Sequence, residues 1–406
     1  MTQELSGVTP PRIAIVTGGM DLGGTTTFMC NFTGELIRRS ISAVVFSLSH
    51  DNPLASDFQK QQIPVYCEDD RRHIFEDRMT SLLRRLTAFN PTVVVANLSA
   101  SSFEALRYVP TGVIRVGMVQ SADAGWYAML RGYNAHLDMV AAVSETIQSD
   151  VRTMPEFTAL PVCYLPYGVP MPKQSPRPPA DVHHPLRILY LGRIVQEQKR
   201  VLLFPLILQK LKESGIPFHW TIAGDGTERP ALEAAMHTES PEQVVTFLGK
   251  VAYADVPALL AQHDIFLLAS DYEGLPLSLL EAMGQGLVPV VSDLPSGIRT
   301  VVDDSTGLRI ALDDTDGYAE AIIKLHHHRN ELLALSHAAM DRVRRDYSVS
   351  AMTDRWLAAL PKLTLAKVAW TESHDIRPIL AAANPWRFSP PLRWLRRTLI
   401  KFRKRN

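Results

Sequence analysis

The sequence predicts an α/β protein built from two doubly wound halves. Three observations carry this. Short apolar runs bounded by glycine or polar loops recur along the chain, helical patterns fill the intervals, and a proline-rich stretch divides the series in two. Buried strands that alternate with helices form parallel sheets, because each crossover helix packs back on a sheet face. At 406 residues, with 46% hydrophobic and 21% charged side chains, the chain is long and apolar enough for two such cores.

In the first half, RIAIVTGG (12–19) is a strand ending in glycines, and MDLGGTTTFMCNFTGELIRRS is a loop feeding a helix. AVVFSLS (43–49), PVYC (64–67), TVVVAN (92–97) and GVIRVGMV (112–119) continue the series, with EDRMTSLLRRLTAF as an intervening helix. LDMVAAVS (137–144) reads as the last strand of this half. Eight prolines between Pro161 and Pro185 exclude a regular element and predict a linker. The alternation then restarts with RILYLG (187–192), HWTIAG (219–224), VVTFLG (244–249), IFLLAS (265–270) and LVPVVS (287–292). The expected division is an N-terminal domain over 1–165, a linker over 166–185, a second domain over 186–345, a returning helix over 346–360 and a tail over 361–406. Two such domains are expected to face each other across a cleft, and open α/β sheets bind ligands outside the carboxyl ends of their strands.

Lys plus Arg equal Asp plus Glu, 42 each, so net charge implies no nucleic-acid partner. The charges are unevenly placed. Residues 386–406 hold eight basic groups and no acid, leaving 34 basic against 42 acidic groups elsewhere. Cys30, Cys67 and Cys163 are far apart and odd in number, which predicts a reducing, cytoplasmic setting. The polar start MTQELSGVTPPR lacks a signal-peptide pattern, and no apolar run approaches the ~20 residues of a membrane span.

The stretch DYEGLPLSLLEAMGQGLVPVV (271–291) follows a buried strand and opens a helix. Pro276 suits a first helical turn, and Gly284 and Gly286 suit its end. The unpaired N–H groups of Leu277, Ser278 and Leu279 then make an anion site suited to phosphate. Glu273 lies in the loop before the helix and Glu281 more than a turn inside it. Acids at two depths beside a phosphate site fit a ligand with hydroxyls on both sides of a phosphate, the form of a nucleotide sugar. The plainer reading makes Glu273 a helix cap and Glu281 a solvated charge. In LYLGRIVQEQKR (189–200), Arg193 and Lys199 at a strand end could neutralise a diphosphate, or be solvated loop charges. IAGDGTERPAL (222–232) is a glycine turn that starts a helix, weak as a ligand signal on its own.

In their order, GRIVQEQK, AGDG, FLGKV and EGLPLSLLEAMGQGLVPVV resemble the C-terminal half of retaining glycosyltransferase family 4, of the GT-B fold. The resemblance is specific over about 186–310, weaker over 12–160, where GGMDLGGTTTFMCNF looks like the family's glycine-rich acceptor-side loop, and absent over 361–406. It implies a metal-independent transfer of a sugar, with retained configuration, from a donor of UDP or GDP type to a sugar or lipid-linked sugar, as in bacterial-type polysaccharide or glycolipid assembly. Arg193 and Lys199 would bind the diphosphate and steady the leaving group. Glu273 would hold the donor sugar and Glu281 the ribose, with Gly224 and Val251 on the nucleotide side. Gly23 and Gly24 would let the first loop approach the reacting centre. Lys199 lies one place further from Arg193 than in the family's commonest pattern. The family often has a histidine after the strand GVIRVGMV, where Gln120 stands here; Asp123 is a second acceptor-side candidate. A nucleotide-sugar epimerase and a non-catalytic partner of a glycosyltransferase complex are the competing readings.

His326, His327 and His328 are consecutive, so they point in different directions, and a solvated helix face explains them better than a metal. No GxSxG, P-loop or HExxH occurs. In PPLRWLRRTLIKFRKRN, Leu392, Leu395, Leu399 and Phe402 recur at helical spacing among the basic residues. That pattern suits an anionic membrane surface on the cytoplasmic side, or packing on the protein's own acidic body.

Overall fold

A computed structural model describes residues 10–21, 23–69, 73–97, 99–172, 184–239, 244–360 and 396. The middle of the expected linker and the tail apart from Arg396 lie outside the described residues. The chain divides into two units, one of residues 1–142, 148–165 and 355–406, the other of 143–147 and 166–354.

Unit 1 contains β1 (Ile13–Thr17), β2 (Ala43–Ser47), β3 (Val65–Cys67), β4 (Val93–Asn97), β5 (Ile114–Val119), β6 (Met139–Ala142) and β7 (Val162–Tyr164). They form one parallel sheet in the order β3-β2-β1-β4-β5-β6-β7. β1, β2, β4 and β6 are buried at every position, as expected for strands covered on both faces. The proline-rich stretch hides β7, where the sequence reading excluded a regular element. Pro161 supplies only its carbonyl, which accepts from Val140 N–H at 2.9 Å, so its missing N–H costs the ladder nothing. The helix Phe75–Phe89 buries Met79, Leu82, Leu83 and Leu86 at helical spacing. It ends at Asn90, in the left-handed region at φ 53°, whose N–H returns to Leu86 O. Trp356, in the helix Val349–Ala359, is buried against Phe28 and Phe32 of the helix Gly24–Arg38, with ring centroids 6.3 and 5.0 Å apart. The chain before residue 360 is therefore tied to unit 1 by aromatic packing.

Unit 2 contains β8 (Leu186–Leu191), β9 (Phe218–Ala223), β10 (Val245–Gly249), β11 (Ile265–Leu268), β12 (Val288–Ser292) and β13 (Leu308–Ile310). The order is β10-β9-β8-β11-β12-β13, again parallel. β13 is short and only half-buried, and periodicity did not reveal it. Each sheet reverses direction of growth once, between β1 and β4 in unit 1 and between β8 and β11 in unit 2. Loops that leave neighbouring strands at such a point diverge and open a crevice. The helix Thr315–His327 buries His326, whose ring nitrogen lies 2.9 Å from Arg329. This corrects the expectation for His326; His327 and His328 are exposed, as expected of a solvated face. Among the described residues, no helix is long and apolar enough to cross a membrane, and no group of three or more metal-ligating side chains occurs.

Candidate active site

In unit 2 the loops after β8 and β11 meet at the switch point. Gln198 joins them: its carbonyl accepts from Asp271 N–H at 2.9 Å and its amide donates to Tyr272 O at 3.2 Å. Its side-chain oxygen accepts from the Arg193 guanidinium. Arg193 is exposed, and buried Tyr190 supports its loop by donating to Arg193 O at 2.5 Å. Burial and the nearby Glu273 carboxylate push the Tyr190 hydroxyl well above its ordinary range, so it remains a donor.

Lys199 and Glu273 are each only 9% exposed, and they pair at 2.5 Å. Ser270 Oγ donates to the same glutamate oxygen at 2.8 Å, while Ser270 N–H donates to Ser292 Oγ. Glu273 is thus no helix cap. It is a buried carboxylate held by a cation and a hydroxyl, and the cation predicted for a diphosphate is already engaged with it. Arg200 continues the charge network by binding Asp271 at 2.6 Å and Asp313.

The helix Leu277–Gly284 starts one residue after Pro276, which precedes the helix in extended backbone rather than occupying its first turn. The N–H groups of Leu277, Ser278 and Leu279 precede the first intrahelical bond, from Leu280 N–H to Pro276 O. Leu277 and Leu279 bury their side chains and Ser278 is half-buried. Glu281, in the second turn, has no side-chain partner among the described residues. Loss of water alone raises its carboxyl to about 8. The side chain is half-buried, so it is neither a cap nor a fully solvated charge.

The glycine turn has a firm structural basis. Gly224 lies at φ 139°, donates to Gly249 O at 2.8 Å, and presses against the Gly192 carbonyl where a Cβ would fall. A Cβ on Gly226 would strike Ile194 O. Gly192 N–H to Ala223 O and Ile194 N–H to Asp225 O complete the seam, at 3.1 and 2.9 Å. The turn after β9 therefore buttresses the loop that carries Arg193. Val251 is the second residue after β10 and is half-buried.

The acceptor-side candidates form a separate group in unit 1. Gln120, at the end of β5, accepts from Thr25 Oγ1 at 2.7 Å and donates to Asn97 Oδ1 at the end of β4. Asn97 is fully buried, and its amide nitrogen has no hydrogen-bond partner among the described residues. Gly23 caps the helix that begins at Gly24, in extended backbone, and a Cβ there would meet nothing within 4 Å. Asp123 accepts from Trp126 N–H at 3.0 Å and caps the helix Ala124–Gly132. The structure thus brings Arg193, Lys199 and Glu273 together and gives Asp123 a capping bond. Sequence reasoning missed Gln198, Ser270 and Asn97. Their positions in QEQK and at the last residues of IFLLAS and TVVVAN, at strand C-terminal ends, were the available signal.

Residues 185–328 match the family described as Glycosyl transferases group 1, so the chain carries a domain of that class. WcaL of Escherichia coli K12, named as a colanic acid biosynthesis glycosyltransferase, is 37% identical over 142 residues, 34% of this chain and 34% of that protein. AmsK of Erwinia amylovora, an amylovoran biosynthesis glycosyltransferase, is 36% identical over 128 residues, 30% of this chain and 31% of that protein. The chain thus matches about a third of the length of these relatives. Among solved structures, TarM of S. aureus with UDP aligns at a TM-score of 0.71 and 12% identity, over 86% of this chain and 100% of that one. Anabaena HepE with UDP and glucose aligns at 0.70 and 16%, over 87% and 100%. The fold is accordingly α/β of the GT-B kind, with two parallel sheets.

Proposed function

We propose that the chain is a retaining glycosyltransferase that moves a sugar from a nucleoside diphosphate sugar to an acceptor hydroxyl, in polysaccharide or glycolipid assembly. The observation that carries the reading is the buried Lys199–Glu273 pair at the switch point, with Arg193 in the same segment after β8 and the N–H groups of Leu277–Leu279, which precede the first intrahelical bond, in the segment that follows Glu273. Arg193, Lys199 and the helix N-terminus offset diphosphate charge as it grows on the leaving group. Glu273 accepts from sugar hydroxyls while Lys199 and Ser270 fix its position. Glu281 accepts from ribose hydroxyls. In the transfer, the bond from the anomeric carbon to the departing phosphate oxygen breaks, the bond to the acceptor oxygen forms on the same face, and the acceptor proton passes to that phosphate. In this reading Arg193, Lys199 and the helix N-terminus together balance the diphosphate charge, so the transfer needs no metal. Relatives named for colanic acid and amylovoran biosynthesis support the setting of polysaccharide assembly. The test is product analysis with UDP- and GDP-sugars, with and without acceptor. A new glycoside made only with acceptor supports transfer; an isomerised donor without acceptor replaces it with epimerisation.

A further inference from the structure

The buried acid Glu76 plays no part in the sugar-transfer reading. It lies in the first turn of the helix Phe75–Phe89 and is wholly inaccessible to solvent. One carboxylate oxygen accepts from the Arg396 guanidinium at 2.7 Å, and the other has no hydrogen-bond partner among the described residues. A buried carboxylate without a cation is strongly unfavourable, because no water replaces its hydration shell. The counter-charge comes from 320 residues along the chain, out of the basic stretch 386–406.

We propose that unit 1 carries a docking site for this chain's own basic C-terminal segment, with Glu76 as the receptor and Arg396 as the inserted group. Three features support this occupant. Arg396 is the residue of the segment seen on the site. The site is a buried negative charge and the segment holds eight basic groups and no acid. Trp356 already ties the chain to unit 1 about 40 residues earlier, so docking is intramolecular and favoured by a high effective concentration. Arginine suits the role because its planar, weakly hydrated guanidinium tolerates partial burial better than an ammonium group. The segment is then held on the protein, and an anionic membrane must compete with Glu76 for it. The proposal is independent of the sugar-transfer reading.

The test is a double-mutant cycle in the full chain with Arg396→Gln, Glu76→Gln and the two combined. Arg396→Gln strands a buried charge, so its melting temperature falls furthest, and adding Glu76→Gln recovers part of the loss. Endoproteinase Lys-C, which leaves position 396 uncut, reads release of the segment. Cleavage at Lys401 and Lys404 is expected to speed up at least about tenfold in Glu76→Gln, a neutral change that keeps the side chain's size and so protects the readout from unfolding. Co-sedimentation with phosphatidylserine vesicles at low salt is expected to rise in the same variant. Additive melting shifts, or Lys-C cleavage as fast in the parent chain as in Glu76→Gln, would overturn the proposal. So would equal vesicle binding by both chains, since Glu76 would then not restrain the segment.

Discussion

Lys199 and Glu273 form a buried ion pair, 2.5 Å long, between the short helix Gln196–Lys199 and the loop after β11, 74 residues apart in sequence. Removing one partner leaves the other charge desolvated, at a cost of about 3–5 kcal/mol in comparable pairs. Lys199→Ala is therefore expected to lower stability as well as nucleotide affinity. Glu273→Gln keeps a polar group for Lys199 and is expected to spare binding of the bare nucleoside diphosphate while reducing turnover. Thermal unfolding and calorimetry on the two variants check this; equal loss of nucleotide affinity in both contradicts the division of roles.

Glu281 predicts a pH dependence with a definite sign. The folded chain holds this proton up to about pH 8, while the unfolded carboxyl releases it near 4.5. The folded state therefore binds more protons across that window, and stability falls as pH rises through it. Glu281→Gln removes the fall, so the variant is expected to melt higher than the parent at pH 8.5 and to converge with it near pH 4.5. Nucleotide binding is expected to change in the opposite direction. Ribose hydroxyls donate best to the ionised carboxylate, so affinity in the parent rises with pH toward 8 and is flatter and weaker in Glu281→Gln. Melting curves and titrations over the pH range test both halves.

The glycines separate support from approach. Gly224→Ala places a Cβ on the Gly192 carbonyl in left-handed backbone, so it is expected to lower stability by at least about 1–3 kcal/mol. Gly23→Ala meets open space in extended backbone and is expected to melt like the parent. Lost turnover in Gly23→Ala would then report a ligand that comes close to that loop; unchanged turnover removes Gly23 from the site.

Much of this arrangement was legible in the sequence. Runs such as IAIVT and VVVAN are buried at every position, and that signal survives without knowledge of the partner strand. β7 and β13 were not legible: β7 lies in a run of prolines that reads as a linker, and β13, Leu-Arg-Ile, is half-buried with a charged residue at its centre. The spacing of Glu273 and Glu281 marked both acids, but not their environments. Whether an acid is capped or paired depends on residues that spacing does not reveal, here Lys199, 74 residues away, as well as nearby Ser270. The same limit applies to Glu76, whose partner Arg396 lies beyond any local pattern.

A charge balance made by Arg193, Lys199 and the helix N-terminus predicts metal-independent turnover. Activity is expected to persist in excess EDTA. Loss on chelation, restored by magnesium or manganese, would show that the two cations do not suffice.

Calorimetric titration of UDP and GDP into the parent chain and Arg193→Ala tests the central claim most directly. The account predicts that one nucleoside diphosphate binds the parent and that Arg193→Ala weakens it at least about tenfold, since a charge-assisted contact is worth about 1.5–3 kcal/mol. Equal affinity in both chains, or no binding of either nucleotide to the parent at millimolar concentration, would contradict it.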